Sequence, residues 1–110
     1  MAGFVKGDVI VIPFPFSDLS GSKRRPALVL ADLPGDDILL CQITSQHTRD
    51  QFAVLLSQTD FMSGSLPVDS YIRPSRIFTA DKRIIVRKAG TAKTNVVNTA
   101  VQNIIDLLKK

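Results

Sequence analysis

The sequence predicts a small, mainly β domain, a curled sheet closed by one C-terminal α-helix. Three observations carry that reading. Short apolar runs rich in β-branched residues recur as far as Gly90, clusters of Pro, Gly and Asp interrupt them at short intervals, and the chain beyond Gly90 changes to a helical period. Many short strands at close spacing favour a barrel over an open sheet. At 110 residues the chain holds one core and not two, so residues 1–110 are expected to form a single domain.

Asp8 to Ile12, within "DVIVIPF", is a nearly continuous apolar run and reads as a buried first strand. Pro13 and Pro15 cannot donate to a sheet ladder and should end that strand or mark an edge. The polar turn segment "SDLSGSK" follows, then "PALVLA" as a second strand stopped by "DLPGDD". "ILLCQITS" is the third strand, and "FAVLLS", after the polar "QHTRDQ", is the fourth. "SGSLP" breaks the chain again. "VDSYIRP" and "RIFTA" read as two short β segments and "KRIIVRK" as one more, closed by Gly90. In the tail, Val97, Val101, Ile104 and Leu108 recur at spacings of four, three and four, one face of a helix that docks on the sheet. Thr94 or Asn95 is placed to cap its start, and Lys109 and Lys110 to meet the negative end of its dipole.

Composition removes several classes of protein. Apolar residues make up 45% of the chain, which argues against disorder. No apolar run approaches the roughly 18–20 residues that cross a bilayer, so no membrane association is expected. The N-terminal run is broken by prolines and lacks a small-residue cleavage site, so it is not read as a signal peptide. A single cysteine, Cys41, makes no internal disulfide and suits a reducing compartment; a cytoplasmic protein is expected, with Cys41 an inert core residue. All ten acids are Asp, against seven Lys and seven Arg, giving a net charge of +4. The resulting pI near 9.6 is an electrostatic footprint common in nucleic-acid binders. The cations recur between apolar runs, at 23–25, at Arg73 and Arg76 around a proline, at 82–83 and at 87–88.

One His and one Cys cannot build an ordinary zinc site. There is no Gly-rich phosphate loop and no nucleophile-elbow motif around any serine. The nearest carboxylate cluster, "GDD" at 35–37, reads as the turn that ends the second strand. No metal and no cofactor are therefore expected. Cation and hydroxyl chemistry remains. Arg25 precedes Pro26, so its backbone is held extended at the mouth of the second strand. Its planar fork of donors matches a phosphate in two-point geometry, with Lys23 and Arg24 beside it for general phosphate contacts. The alternative reading makes all three solvated loop charges. Thr44 and Ser45 end the third strand; their hydroxyls either cap local backbone groups or, if strands two and three pair antiparallel, bring Thr44 towards Arg25. A guanidinium beside a hydroxyl would form an electropositive notch suited to metal-free RNA cleavage. The ribose 2′-OH supplies the nucleophile there, and preorganised donors stabilise the charge gathering on phosphorus.

The blocks "KGDVIVIPFPFSDLSGSKRRPALVL", "ITSQ" and "DSYIRPSRIFTADKRII", with Gly90 following, resemble the MazF/PemK-type toxins of type II toxin–antitoxin pairs. The resemblance runs from Gly7 to the last helix. It implies an SH3-like β-barrel with helical additions, of the kind shared with the gyrase poison CcdB. It also implies a homodimeric, metal-independent endoribonuclease that cuts single-stranded RNA at short motifs and so arrests translation and growth. The implied partners are RNA and a cognate antitoxin whose acidic C-terminal segment covers the RNA groove; the toxin–antitoxin complex would meet operator DNA through the antitoxin. The resemblance makes Arg25 and Thr44 the catalytic pair. It makes Lys23, Arg24 and Ser45 RNA contacts, and Ser70, Arg73 and Arg76 groove or dimer-side residues.

Other residues receive plainer readings. His47, three positions after Thr44, is taken as a loop histidine rather than a proton shuttle. Phe14, Phe16 and Tyr71 are assigned to packing or a dimer surface before base stacking. Two other functions stay open: a CcdB-like gyrase poison without nuclease activity, and a barrel that binds RNA and leaves it uncut.

Overall fold

Val9, Ile10, Val11 and Ile12 are all buried, which a strand achieves only when both of its faces are covered. The structure, a computed structural model, describes residues 3–14, 23–46 and 49–110. Its strands are β1 (Asp8–Phe14), β2 (Lys23–Asp32), β3 (Asp37–Thr44), β4 (Val54–Leu56), β5 (Phe61–Gly64), β6 (Ser70–Asp81) and β7 (Arg87–Ala92), followed by helix α1 (Thr94–Leu108). They form one antiparallel sheet in the order β4-β6-β3-β2-β1-β7-β5, curled into a half-barrel, the mainly β fold with one C-terminal helix that the sequence predicts. No helix among the described residues is long and apolar enough to cross a membrane.

Alternation sorts the core into two clusters. Val9, Leu28, Cys41, Ile43 and Ile72 share one face with Leu56, Phe61, Leu66 and the helix residues Val96, Val97 and Ala100. Ile10, Ile12, Ala27, Val29, Ile38 and Leu40 share the other, with Phe4, Phe78, Ala80 and Ile85 packed against them. Pro13 lies inside β1 without harm. The pairing with β7 covers only Asp8 to Val11, so the missing donor at Pro13 costs that ladder no bond. The turn at residues 33–36 is the expected end of the second strand: Gly35 has φ +71, and Lys82 Nζ pairs with Asp32 and donates to Leu33 O and Gly35 O.

Several expectations are corrected. "VDSYIRP" and "RIFTA" are one strand, β6, because residues 73–76 bulge opposite Gln42 between the pairs Ile72–Ile43 and Ile77–Cys41. That bulge accommodates Pro74, which has no N–H for a ladder. "KRIIVRK" is not a strand throughout: Lys82–Ile84 is a 3-10 turn capped by Asp81, which accepts from Arg83 N at 2.8 Å, and β7 begins at Arg87 and runs through Gly90. Residue 93 is the N-cap of α1, with no side-chain cap, so neither Thr94 nor Asn95 plays that part; Lys93 N instead donates to Asp60 O at 2.8 Å. The helix buries Val96, Val97 and Ala100, whereas Leu108, expected on the docked face, is 75% exposed. The fourth predicted strand shrinks to Val54–Leu56, and β5 was not foreseen at all.

Candidate functional site

A cleft of about 360 Å³ opens on the face that also carries α1. Its floor is apolar and comes from three strands and a loop: Val11 of β1, Pro26 of β2, Ile43 of β3 and Leu66. Its rim is polar and cationic: Arg24 and Arg25 at the start of β2, Ser45 just past β3, Ser70 at the start of β6, and Arg87 at the start of β7. Each of these residues sits at a strand end, where the ladder fixes the backbone and the side chain is free to face a ligand.

The registers explain the assembly. Val11 pairs with Pro26 on one side and with Arg87 on the other, so the three form one row across β2, β1 and β7. Alternation along β7 then takes Lys88 away from the cleft, and its Nζ pairs with the buried Asp8 at 3.4 Å. Asp8 also accepts from Val5 N and from Thr91 Oγ1, so its carboxylate ties β1 to β7. Between β2 and β3 the pairs run Val29–Leu40, Leu28–Cys41 and Ala27–Gln42. Continued two residues further, that antiparallel register brings Arg25 level with Thr44.

Arg24, Arg25, Ser45 and Ser70 thus meet in one hollow. Ser70 is 2% exposed and its hydroxyl donates to Val68 O at 3.1 Å, which leaves its oxygen lone pairs towards other donors. Thr44 lies between two lining residues, Ile43 and Ser45, but does not itself line the cleft. It is half-buried, and its Oγ1 accepts from Gln46 N at 3.2 Å, a local turn that leaves the hydroxyl proton to donate. Lys23 starts β2, exposed and outside the lining. Arg76 is exposed in the β6 bulge.

Arg73 is engaged elsewhere. Its Nε is buried 3.8 Å from Asp50, too far for a hydrogen bond, and its carbonyl accepts from the Cys41 thiol at 2.9 Å. Burial acts to raise the Asp50 carboxyl. Hydrogen bonds from Ser75 Oγ at 2.7 Å and Phe52 N at 2.9 Å, with the charge of Arg73, overcome it and hold the group below its ordinary value. This cluster pins the segment after residue 48 to the β6 bulge. His47 and residues 15–22, Phe16 among them, lie outside the described residues, as does the side chain of Phe14.

Ion pairing takes up four cations outside the cleft. Arg73, Lys82, Arg83 and Lys88 each have a carboxylate partner. Among the described residues none pairs with Arg24, Arg25 or Arg87, and none lines the cleft. Three uncompensated guanidiniums around an apolar floor make a receptor for an anion that carries a flat or apolar portion. Sequence reasoning noted Arg87 only as one of several recurring cations. Its place in the cleft depends on the β1–β7 pairing, for which no local signal exists.

Comparison with known proteins agrees with this architecture. The fold resembles MazF from Deinococcus radiodurans (21% identity, all of both chains, TM-score 0.77) and MazF in the MazE–MazF complex of the same organism (22% identity, 96% of each chain, TM-score 0.77). It also resembles an endoribonuclease from a mycobacterial species solved in complex with its cognate antitoxin (15% identity, 97% of this chain and 96% of that one, TM-score 0.74). At these identities the likeness is one of fold. No curated protein sequence matches. A sequence model of one family, however, described as the PemK-like, MazF-like toxin of type II toxin–antitoxin systems, matches residues 5–108. Nearly the whole chain is thereby accounted for, and it belongs to that toxin family.

Proposed function

We propose that this toxin is an endoribonuclease that cuts single-stranded RNA in the cytoplasm without a metal ion. The observation that carries the reading is the convergence of Arg24, Arg25, Arg87, Ser45 and Ser70 on one cleft whose described lining holds no carboxylate. A phosphodiester lies with its phosphate among the guanidiniums. The neighbouring ribose 2′-oxygen attacks phosphorus and the bond to the 5′-oxygen breaks, the proton lost from the first oxygen being matched by one gained at the second. Arg25, permanently charged, stabilises the extra negative charge on phosphorus and is no base. Thr44 supplies a hydroxyl donor level with it, and Ser45 a second from the cleft wall. Arg24 and Lys23 hold flanking phosphates. Arg73 and Arg76 lie outside the cleft lining, Arg73 beside Asp50, so a dimer surface is the role left to them.

The family and the antitoxin-bound neighbours support a cognate antitoxin. In this reading its acidic segment occupies the same cationic cleft, and the toxin is a homodimer. The deciding experiment incubates purified protein with a long single-stranded RNA in EDTA. Cleavage at defined sites is expected. Arg25→Ala should lower it by about 10²–10³-fold with the fold intact, the cost of removing one preorganised donor. Thr44→Ala and Ser45→Ala, compared side by side, identify which hydroxyl acts. Full activity in Arg25→Ala would remove it from the mechanism. Inhibition of gyrase supercoiling with no RNA broken would replace the nuclease reading with that of a topoisomerase poison.

A further inference from the structure

We propose that Arg87 is a substrate-binding residue that holds the RNA phosphate adjacent to the one engaged by Arg25. The inference rests on the cleft being the RNA site and adds a contact to it. Arg87 and Pro26 flank Val11 in a single cross-strand row, so their backbones stand two strand spacings apart, about 10 Å. Arg25 is next to Pro26, and both arginines line the cleft, with the apolar Val11 on the strand between theirs. The volume of about 360 Å³ is at the small end of ligand pockets, which span about 300–1,000 Å³. It takes about one nucleotide of a strand that continues past the rim.

The environment of Arg87 fits that use. Its neighbour Val86 donates its N–H to Val11 O at 2.8 Å, which fixes the backbone where β7 begins. Val86 and Val68 are apolar, 41% and 53% exposed, and both line the cleft. A nucleotide gripped at two phosphates would cover these side chains with its base and sugar. The neighbouring Lys88 is neutralised by Asp8, whereas Arg87 has no carboxylate partner among the described residues. Its charge is therefore available to an incoming anion.

The test measures binding of a short single-stranded RNA fully substituted with 2′-O-methyl groups, which cannot supply the attacking hydroxyl. Wild type, Arg87→Ala and Arg87→Lys are titrated from low to high salt, and cleavage of ordinary RNA is followed in parallel. Loss of one phosphate contact should make the slope of log K against log salt shallower by about 0.7 in Arg87→Ala. Binding near physiological salt should weaken roughly tenfold, the worth of one charge-assisted contact. Arg87→Lys should restore the slope. In cleavage, KM should rise more than kcat falls. An unchanged slope in Arg87→Ala, or no binding by the wild type, overturns the proposal. If the wild type cuts no RNA yet binds the modified strand with the predicted Arg87 dependence, the nuclease reading fails and the Arg87 contact stands.

Discussion

Cys41 is fully buried in β3, and burial pushes its thiol up to about 12, the charge of Asp50 acting in the same direction. The folded group thus ionises far later than an unfolded cysteine, which ionises near 8.5. Above that pH the unfolded chain loses a proton that the folded chain keeps, so this contribution to stability is intact at neutral pH. It is lost progressively as pH rises from about 8.5 towards about 12. Native protein at pH 8 should resist iodoacetamide and react only when unfolded in urea, which mass spectrometry will report. Rapid labelling of the native state would contradict the burial. The same scale holds the clearest gap between sequence and site: the "TS" step marked the right strand end, but Ile43 and Ser45 line the cleft and Thr44, between them, does not.

Among the elements, the β5–β7 crossing is the least forgiving. Gly64 pairs with Gly90, and a Cβ on Gly64 would overlap the Ala89 carbonyl, just as one on Gly90 would overlap Ser63 O. Gly64 also has φ +68, a conformation that side chains disfavour. Gly64→Ala should therefore destabilise the protein by about 2 kcal/mol or more, measured by urea unfolding. Gly35→Ala is the informative control: it shares a positive φ, at +71, but meets nothing within 4 Å, so its cost should be backbone strain alone. An equal loss in both would mean that the close approach of β5 to β7 matters little. β5 itself, four residues long with three of them exposed, carries too little periodicity to be read from sequence, and only its pairing with β7 defines it.

Across the molecule, ion pairs neutralise Arg73, Lys82, Arg83 and Lys88, all of them outside the cleft lining. The Lys82 pair with Asp32 and the Arg83 pair with Asp36 stitch the β2–β3 turn to the end of β6, where Arg83 also pairs locally with Asp81. The Arg83 side chain and backbone hydrogen bonds hold the Asp81 carboxyl at about 2. The cleft arginines escape this neutralisation. A synthetic peptide of about ten acidic residues should compete with RNA for the toxin, more weakly as salt rises. Competition should fall in a variant with Arg24, Arg25 and Arg87 all replaced by Ala. Undiminished peptide binding by that variant would put the antitoxin segment on another face.

What the sequence determined by itself was local. β-branched runs, turn residues and the shift in period specify the class of fold, most strands and the final helix, because each depends on neighbours a few residues away. Arg25 was marked by its own proline, and Cys41 by the apolar run around it. Only the tertiary structure decided which strand lies beside which, since register is fixed by long-range pairing. It merged two predicted segments through the Pro74 bulge, seated Arg87 across from Arg25, and removed Arg73 to Asp50. The charges were legible in the sequence, whereas which of them found a carboxylate was settled by packing.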